Sequence, residues 1–138
     1  MEEPSMRGIV FRESLVAGSL PAEPPATVAR RYRYLLDGTF PVEVIELRVA
    51  ARAAPALAMR LAEALHPARY YAHIVGADRM YVIFPSCVAI VRRGDAESAG
   101  RAQEVGRRFG IPMRQMRFLE MFEIDHPDAL PPAGKGAG

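Results

Sequence analysis

The residues of this 138-residue chain best equipped for chemistry are His73 and Tyr71, in the phrase Tyr70-Tyr71-Ala72-His73. Strand side chains alternate between faces, so in extended chain Tyr71 and His73 share one face. A histidine beside a tyrosine on a sheet surface can act as general base or proton shuttle near neutral pH. A structural histidine bonded to a tyrosine or a carbonyl explains the same residues, and carries more weight. No nucleophile or metal-ligand partner sits at a recognisable spacing. His73 and Tyr71 are therefore candidates, and no catalytic residue is assigned.

A second set is Glu46, Arg48 and Glu120, charged residues in apolar strand-like stretches. If Glu46 and Arg48 face away from the helices, they meet His73 and Tyr81 in an apolar basin. A few convergent polar groups in such a basin are the usual design of a small-ligand pocket. Cross-strand ion pairing on a solvated edge is the competing explanation. A third set, Arg30-Arg31-Tyr32-Arg33-Tyr34, interleaves arginine with tyrosine and could hold phosphates and stack bases. An edge strand blunted by charge accounts for it better.

Whole-chain properties narrow these options. Eighteen basic residues against 16 acidic leave a net charge of +2, too small a field to imply nucleic acid. All the basic residues but Lys135 are arginine, and they spread over the whole chain. His66, His73 and His126 are scattered, Cys87 is alone, and no CxxC, HxxxH or HExxH occurs, so no metal is expected. Walker and dinucleotide fingerprints are missing, so no cofactor is expected either. Cys87 reads as an inert core thiol. One cysteine, an acidic start without an apolar leader, and apolar runs far shorter than a membrane span point to a cytoplasmic, non-membrane protein.

The elements that must position these residues are well punctuated. Gly8 to Phe11 is a short strand, followed by a proline-rich linker through Pro21, Pro24 and Pro25. Asp37-Gly38 between Tyr32-Leu35 and Thr39-Phe40 marks a hairpin. Val42 to Val49 alternates as a half-buried strand. Pro55 opens a helix with Leu57, Leu61 and Leu65 on its apolar stripe, and Pro67 ends it. Strands follow at 70–75, 80–84 and 87–91. Asp95 caps a second helix carrying Ala102, Val105 and Phe109, closed by Gly110-Ile111-Pro112. A last strand is expected from Phe118 to Ile124.

The predicted fold is α+β: a two-layer, ferredoxin-like, mostly antiparallel sheet with two helices on one face and an added N-terminal hairpin arm. Residues 1–28 form an N-terminal strand and linker, 29–126 a single domain, and 127–138 a disordered tail. Asp125-His126-Pro127-Asp128 reads as a turn. Right-handed crossovers tend to place both helices on one face. Yet Met80 to Phe84 and Cys87 to Val91 are apolar at every position. Something must cover their second face, and the expectation is a homodimer packed through the non-helical sheet face.

Several phrases together resemble a family of small uncharacterised prokaryotic proteins. They are Arg7-Gly8-Ile9-Val10-Phe11-Arg12-Glu13-Ser14-Leu15, Tyr70-Tyr71-Ala72-His73, Met80 to Phe84, and Gly110-Ile111-Pro112 running to Gln115-Met116-Arg117-Phe118. The resemblance implies one compact domain and carries over no activity, cofactor or site residue. The functional expectation is a non-catalytic dimeric binding or interaction module, with any small-molecule ligand on the sheet face. The alternatives are a small enzyme with His73 as general acid/base, and nucleic-acid binding through Arg30 to Tyr34.

Overall fold

A computed structural model describes residues 4–22, 25–67 and 70–129. Six strands form one antiparallel sheet: β1 (Ser5–Phe11), β2 (Thr27–Leu36), β3 (Phe40–Ala50), β4 (Ala72–Val75), β5 (Arg79–Phe84) and β6 (Cys87–Arg92). The two α-helices are α1 (Ala54–Ala64) and α2 (Ala96–Arg108). Strand order across the sheet is β2-β3-β1-β4-β5-β6. The α+β class is as expected, and no described helix is long and apolar enough to cross a membrane.

The N-terminal strand, expected to stand with the linker outside the domain, is instead an interior strand of the sheet. β1 lies between β3 and β4, pairing Ile9 with Glu46 on one side and with His73 on the other. Val10 is fully buried and Ile9 nearly so, which places residues 5–11 in the same core as the rest of the domain. β3 and β4 both run antiparallel to β1 and hence parallel to each other. α1 is their crossover.

The helices do not share a face. Leu57, Ala58, Leu61 and Ala62 of α1 cluster with Ile45, Leu47, Ile74, Tyr81 and Ile83. Ala99 and Ala102 of α2 cluster with Met80, Val82, Phe84 and Val91, on the opposite side of the same strands. The handedness rule governs a helix that links two parallel strands. No described strand follows α2, so it is free to fold onto the other face.

The expected strand from Phe118 to Ile124 is likewise absent. Glu120–Phe122 is a single 3-10 turn, preceded by another at Met113–Gln115. Phe118, Met121 and Phe122 are all buried. Their spacing of three and one brings apolar side chains together on a turn, whereas a strand needs a period of two. Together α2 and this segment cover the face that a second subunit was expected to cover. Val82 and Phe84 are fully buried within one chain, so that face makes no demand for a partner.

Local chemistry explains the ordered ends. Asp37 (φ 54) and Gly38 (φ 69) both take left-handed backbone, as the β2–β3 turn requires. The Asp95 carboxylate accepts from the Ser98 N–H at 3.3 Å, capping α2. At its other end Gly110 has φ 77, its N–H bonds the Arg107 carbonyl, and the Ile111 N–H bonds the Gly106 carbonyl. That is the Schellman arrangement. Gly106 lets α2 sit close: a Cβ there would lie 2.2 Å from Met116 Sδ and 3.2 Å from the Phe84 ring. The last carbonyls of α1 are met from outside the helix, Ala62 by the Ser86 N–H and Ala64 by the Val16 N–H.

Candidate functional site

His73 is one of the few buried polar residues, 3% exposed, on the sheet face opposite α1. Its strand partners are Ile9 on β1 and Val82 on β5. Its Nε2 atom is buried with no hydrogen-bond partner. Burial holds the imidazole well below its usual range, down to about 4, with the His126 and Arg7 charges adding to the shift and Asp125 opposing it. At pH 7 the ring is neutral.

Beside His73 is a cavity of about 30 Å³, lined by Ile9, Phe11, Tyr71, Asp125, His126 and other residues. Room for one or two waters is all that this volume offers. Its roof is the Asp-His-Pro-Asp segment that the sequence suggested was only a turn. Each polar side chain of the segment is anchored to the sheet. Asp125 accepts from Arg7 Nε and Nη2 at 3.0 and 2.8 Å. His126 Nε2 lies 2.6 Å from the Tyr32 hydroxyl. Asp128 accepts from the Tyr34 hydroxyl at 2.9 Å and from the Asp37 N–H at 2.7 Å.

The His126 ring stacks on Tyr34 with centroids 4.0 Å apart and lies 6.3 Å from Phe11 in a second stacked arrangement. Burial lowers its pKa as well, against the pull of Asp125 and Asp128. Desolvation chiefly, and the Asp128 bond, push Tyr34 upward, so its hydroxyl stays a donor. Residues 127–129 thus form an ordered 3-10 turn where the tail was expected to have begun. The remainder of the expected tail, residues 130–138, lies outside the described residues, as does Pro24 of the linker.

The candidates from sequence converge only in part. Tyr71 and His73 do share a face, with ring centroids 6.5 Å apart. The Tyr71 hydroxyl, however, donates to the Gln115 carbonyl and also meets Met121 Sδ. Burial pushes its pKa far up, so it holds its proton. Tyr81 points the other way, into the α1 core. Its pairing with Ile74, one residue on from His73, fixes that parity. Tyr81 therefore does not meet His73.

Glu46 and Arg48 face away from α1 as supposed, but they line a separate open cleft of about 380 Å³ with Ser5, Arg7, Gly76 and Phe122. Glu46 is already paired with Arg30 at 2.8 Å. Glu120 is on the 3-10 turn, paired with Arg117 at 3.2 Å, and joins neither group. The basic stretch divides between faces. Arg30 lies over the Tyr32 ring at 4.5 Å and bonds Glu46, while Arg31 bonds Glu43 and Arg33 lines a cleft with Arg12 and Glu13. Arg30, Arg31 and Arg33 do not form one basic surface.

Sequence reasoning missed Arg7, Phe11, Tyr34, Asp125, His126 and Asp128. The signal was faint but present: Tyr32 and Tyr34 alternate onto one strand face, and Asp-His-Pro-Asp begins only three residues after the buried Met121-Phe122 pair. Among the described residues, no group of three or more histidine, cysteine, aspartate or glutamate side chains could hold a metal ion. No family model, no curated protein and no solved structure matches this chain.

Proposed function

We infer that the chain is a non-catalytic binding module whose small ligand docks against His73, between the sheet and the segment 125–128. The observation that carries this reading is the buried, unpartnered Nε2 of His73 beside a cavity. Leaving such an atom unmet costs about 1–3 kcal/mol, and a ligand that bonds it would recover that cost. The lowered pKa favours binding over proton transfer. A general base works best with a pKa near the working pH, and a ring titrating at about 4 is too weak a base at neutrality.

The walls suggest the ligand class. Ile9 and Phe11 are apolar, and the nearby carboxylates of Asp125 and Asp128 are engaged with Arg7, Tyr34 and Asp37. A small, flat, uncharged molecule with one hydrogen-bonding group fits that lining. Because the cavity holds no more than waters, the ligand enters as 125–128 moves aside. His126 on Tyr34 is an internal example of a planar ring held on this surface.

The test is an NMR titration with imidazole and indole as probes. Amide shifts should cluster at Ile9, Tyr71 and His73. Asp128→Ala, which releases the roof, should bind at least about tenfold more tightly, and His73→Leu should lose binding in either background. The reading fails if neither probe shifts those residues in wild type or Asp128→Ala, or if His73→Leu binds unchanged.

A further inference from the structure

The two edges of the sheet differ, and the difference points to a partner. Edge strands expose unpaired backbone groups, and proteins blunt them with charge, proline or cover. β2 is blunted: Arg30, Arg31 and Arg33 stand along it. β6 is not. Its sequence Cys87-Val88-Ala89-Ile90-Val91 carries no charge before Arg92, and it is the last strand in the sheet order.

The outward groups of β6 can be assigned. Phe84 pairs with Cys87 across the two-residue Pro85-Ser86 turn, which makes that pair hydrogen-bonded. Cys87, Ala89 and Val91 therefore bond β5, and Val88, Ile90 and Arg92 direct their N–H and C=O outward. The Arg92 N–H confirms the parity, since it reaches away from β5 to Ser98 Oγ at 3.0 Å. Among the described residues nothing pairs with the outward groups of Val88 and Ile90. Ile90 is also 48% exposed, one of the exposed large apolar residues.

We propose that β6 pairs antiparallel with β6 of a second copy of this chain about a two-fold axis at Ala89, joining two sheets into one of twelve strands. This register sets Val88 opposite the partner subunit's Ile90 and Ile90 opposite the partner subunit's Val88. All the outward N–H and C=O groups of these residues are then used. Val88 and Ile90 lie on the α1 side of the sheet, opposite Ile83 and Tyr81, so each exposed Ile90 gains an apolar cross-strand neighbour. Arg92 falls opposite the partner subunit's Ser86, so no like charges meet. The same operation on β2 about Tyr32 would set Arg31 against the partner subunit's Arg33, which like-charge repulsion disfavours. A second copy is thus the occupant that suits β6 and not β2. This interface is independent of the ligand site, and it replaces the sheet-face dimer expected from sequence.

Sedimentation of the full chain from about 1 µM to about 1 mM tests the pairing, because a short ladder makes a weak dimer. The mass should rise from 15.2 kDa toward twice that value. Ile90→Pro removes an outward N–H and leaves the β5 ladder whole, as proline on an edge strand allows. It should stay monomeric throughout. Ala89→Cys in a Cys87→Ser background checks the register without depending on that variant's folding. A non-hydrogen-bonded pair on the axis has Cα atoms about 4.5 Å apart, within disulfide range, so oxidation should give a covalent dimer. A wild-type monomer at every concentration would overturn the proposal. So would a folded Ile90→Pro variant that still dimerises, or an Ala89→Cys chain that does not cross-link.

Discussion

The two faces of this sheet are closed by different means. On one, α1 lays Leu57, Leu61 and their alanine neighbours over Ile45, Leu47, Ile74 and Ile83, an aliphatic layer sealed by a regular helix. On the other, α2 covers only the β5–β6 side, with Ala99 and Ala102. The rest is roofed by 3-10 turns and the anchored segment 125–128, with His126 in the roof over aromatic rings and His73. A helix satisfies its own backbone and can rest on aliphatic side chains alone. An irregular segment has to be held by side-chain bonds, and those bonds bring titratable groups to the sheet. The α1 face is a plain aliphatic core. The opposite face has a core of its own and gathers the buried titratable groups.

That division is open to attack first on the α1 side. Leu61→Ala removes a fully buried side chain and should cost about 3 kcal/mol in chemical denaturation. The same variant, measured where it is still folded, should leave the His73 titration unchanged. A shift of that titration would mean that the two faces are not separable.

Acid should act through the opposite face by a comparable amount. His73 titrates at about 4 in the folded state and near 6.5 when unfolded, so the unfolded chain binds more protons between those values. Stability is fully present above pH 6.5 and falls by roughly 3 kcal/mol as pH drops to 4. His126, also lowered by burial, adds to the loss with the same sign. Denaturation midpoints across this range should fall steeply in wild type and less steeply in His73→Leu. Equal slopes would remove His73 from the account.

Loosening the roof should be milder. Asp128→Ala deletes the bonds to the Tyr34 hydroxyl and the Asp37 N–H and should cost about 1 kcal/mol. Wetting the cavity should also raise the His73 pKa toward its ordinary value, which NMR reads directly. The smallest effect belongs to the turn beneath α1. Ser86 sits at φ 65, where a side chain is disfavoured, and its N–H meets the Ala62 carbonyl. Ser86→Gly keeps that bond and relieves the backbone, so thermal unfolding should show a gain of about 0.5 kcal/mol.

Local chemistry made much of the fold legible in advance. Alternation in 42–49, proline at the start of α1, the Asp37-Gly38 turn and the Gly110-Ile111-Pro112 ending each depend on neighbours in sequence, and each has its structural counterpart. The unbroken apolar run of β5 also announced correctly that both its faces are covered, whereas the same pattern in β6 leaves Ile90 exposed. What covers the second face was not legible. Residues 111–128 reach it through contacts such as Arg7 with Asp125 and Tyr34 with Asp128, far apart in sequence. No period or turn rule encodes such a contact. Strand parity was equally hidden for Tyr81: one step of register along β4 and β5 decides whether it meets His73 or the α1 core. The site was half visible, as His73 and Tyr71, while its roof was not.

The most direct test of the central claim is the titration of the His73 ring nitrogens by NMR in the folded wild-type protein. A neutral ring at pH 7 with a midpoint near 4 is the predicted result, reporting a buried imidazole beneath the segment 125–128. A midpoint near 6.5 in the folded protein would contradict it, because it would place His73 in contact with bulk water and leave no buried site on that face.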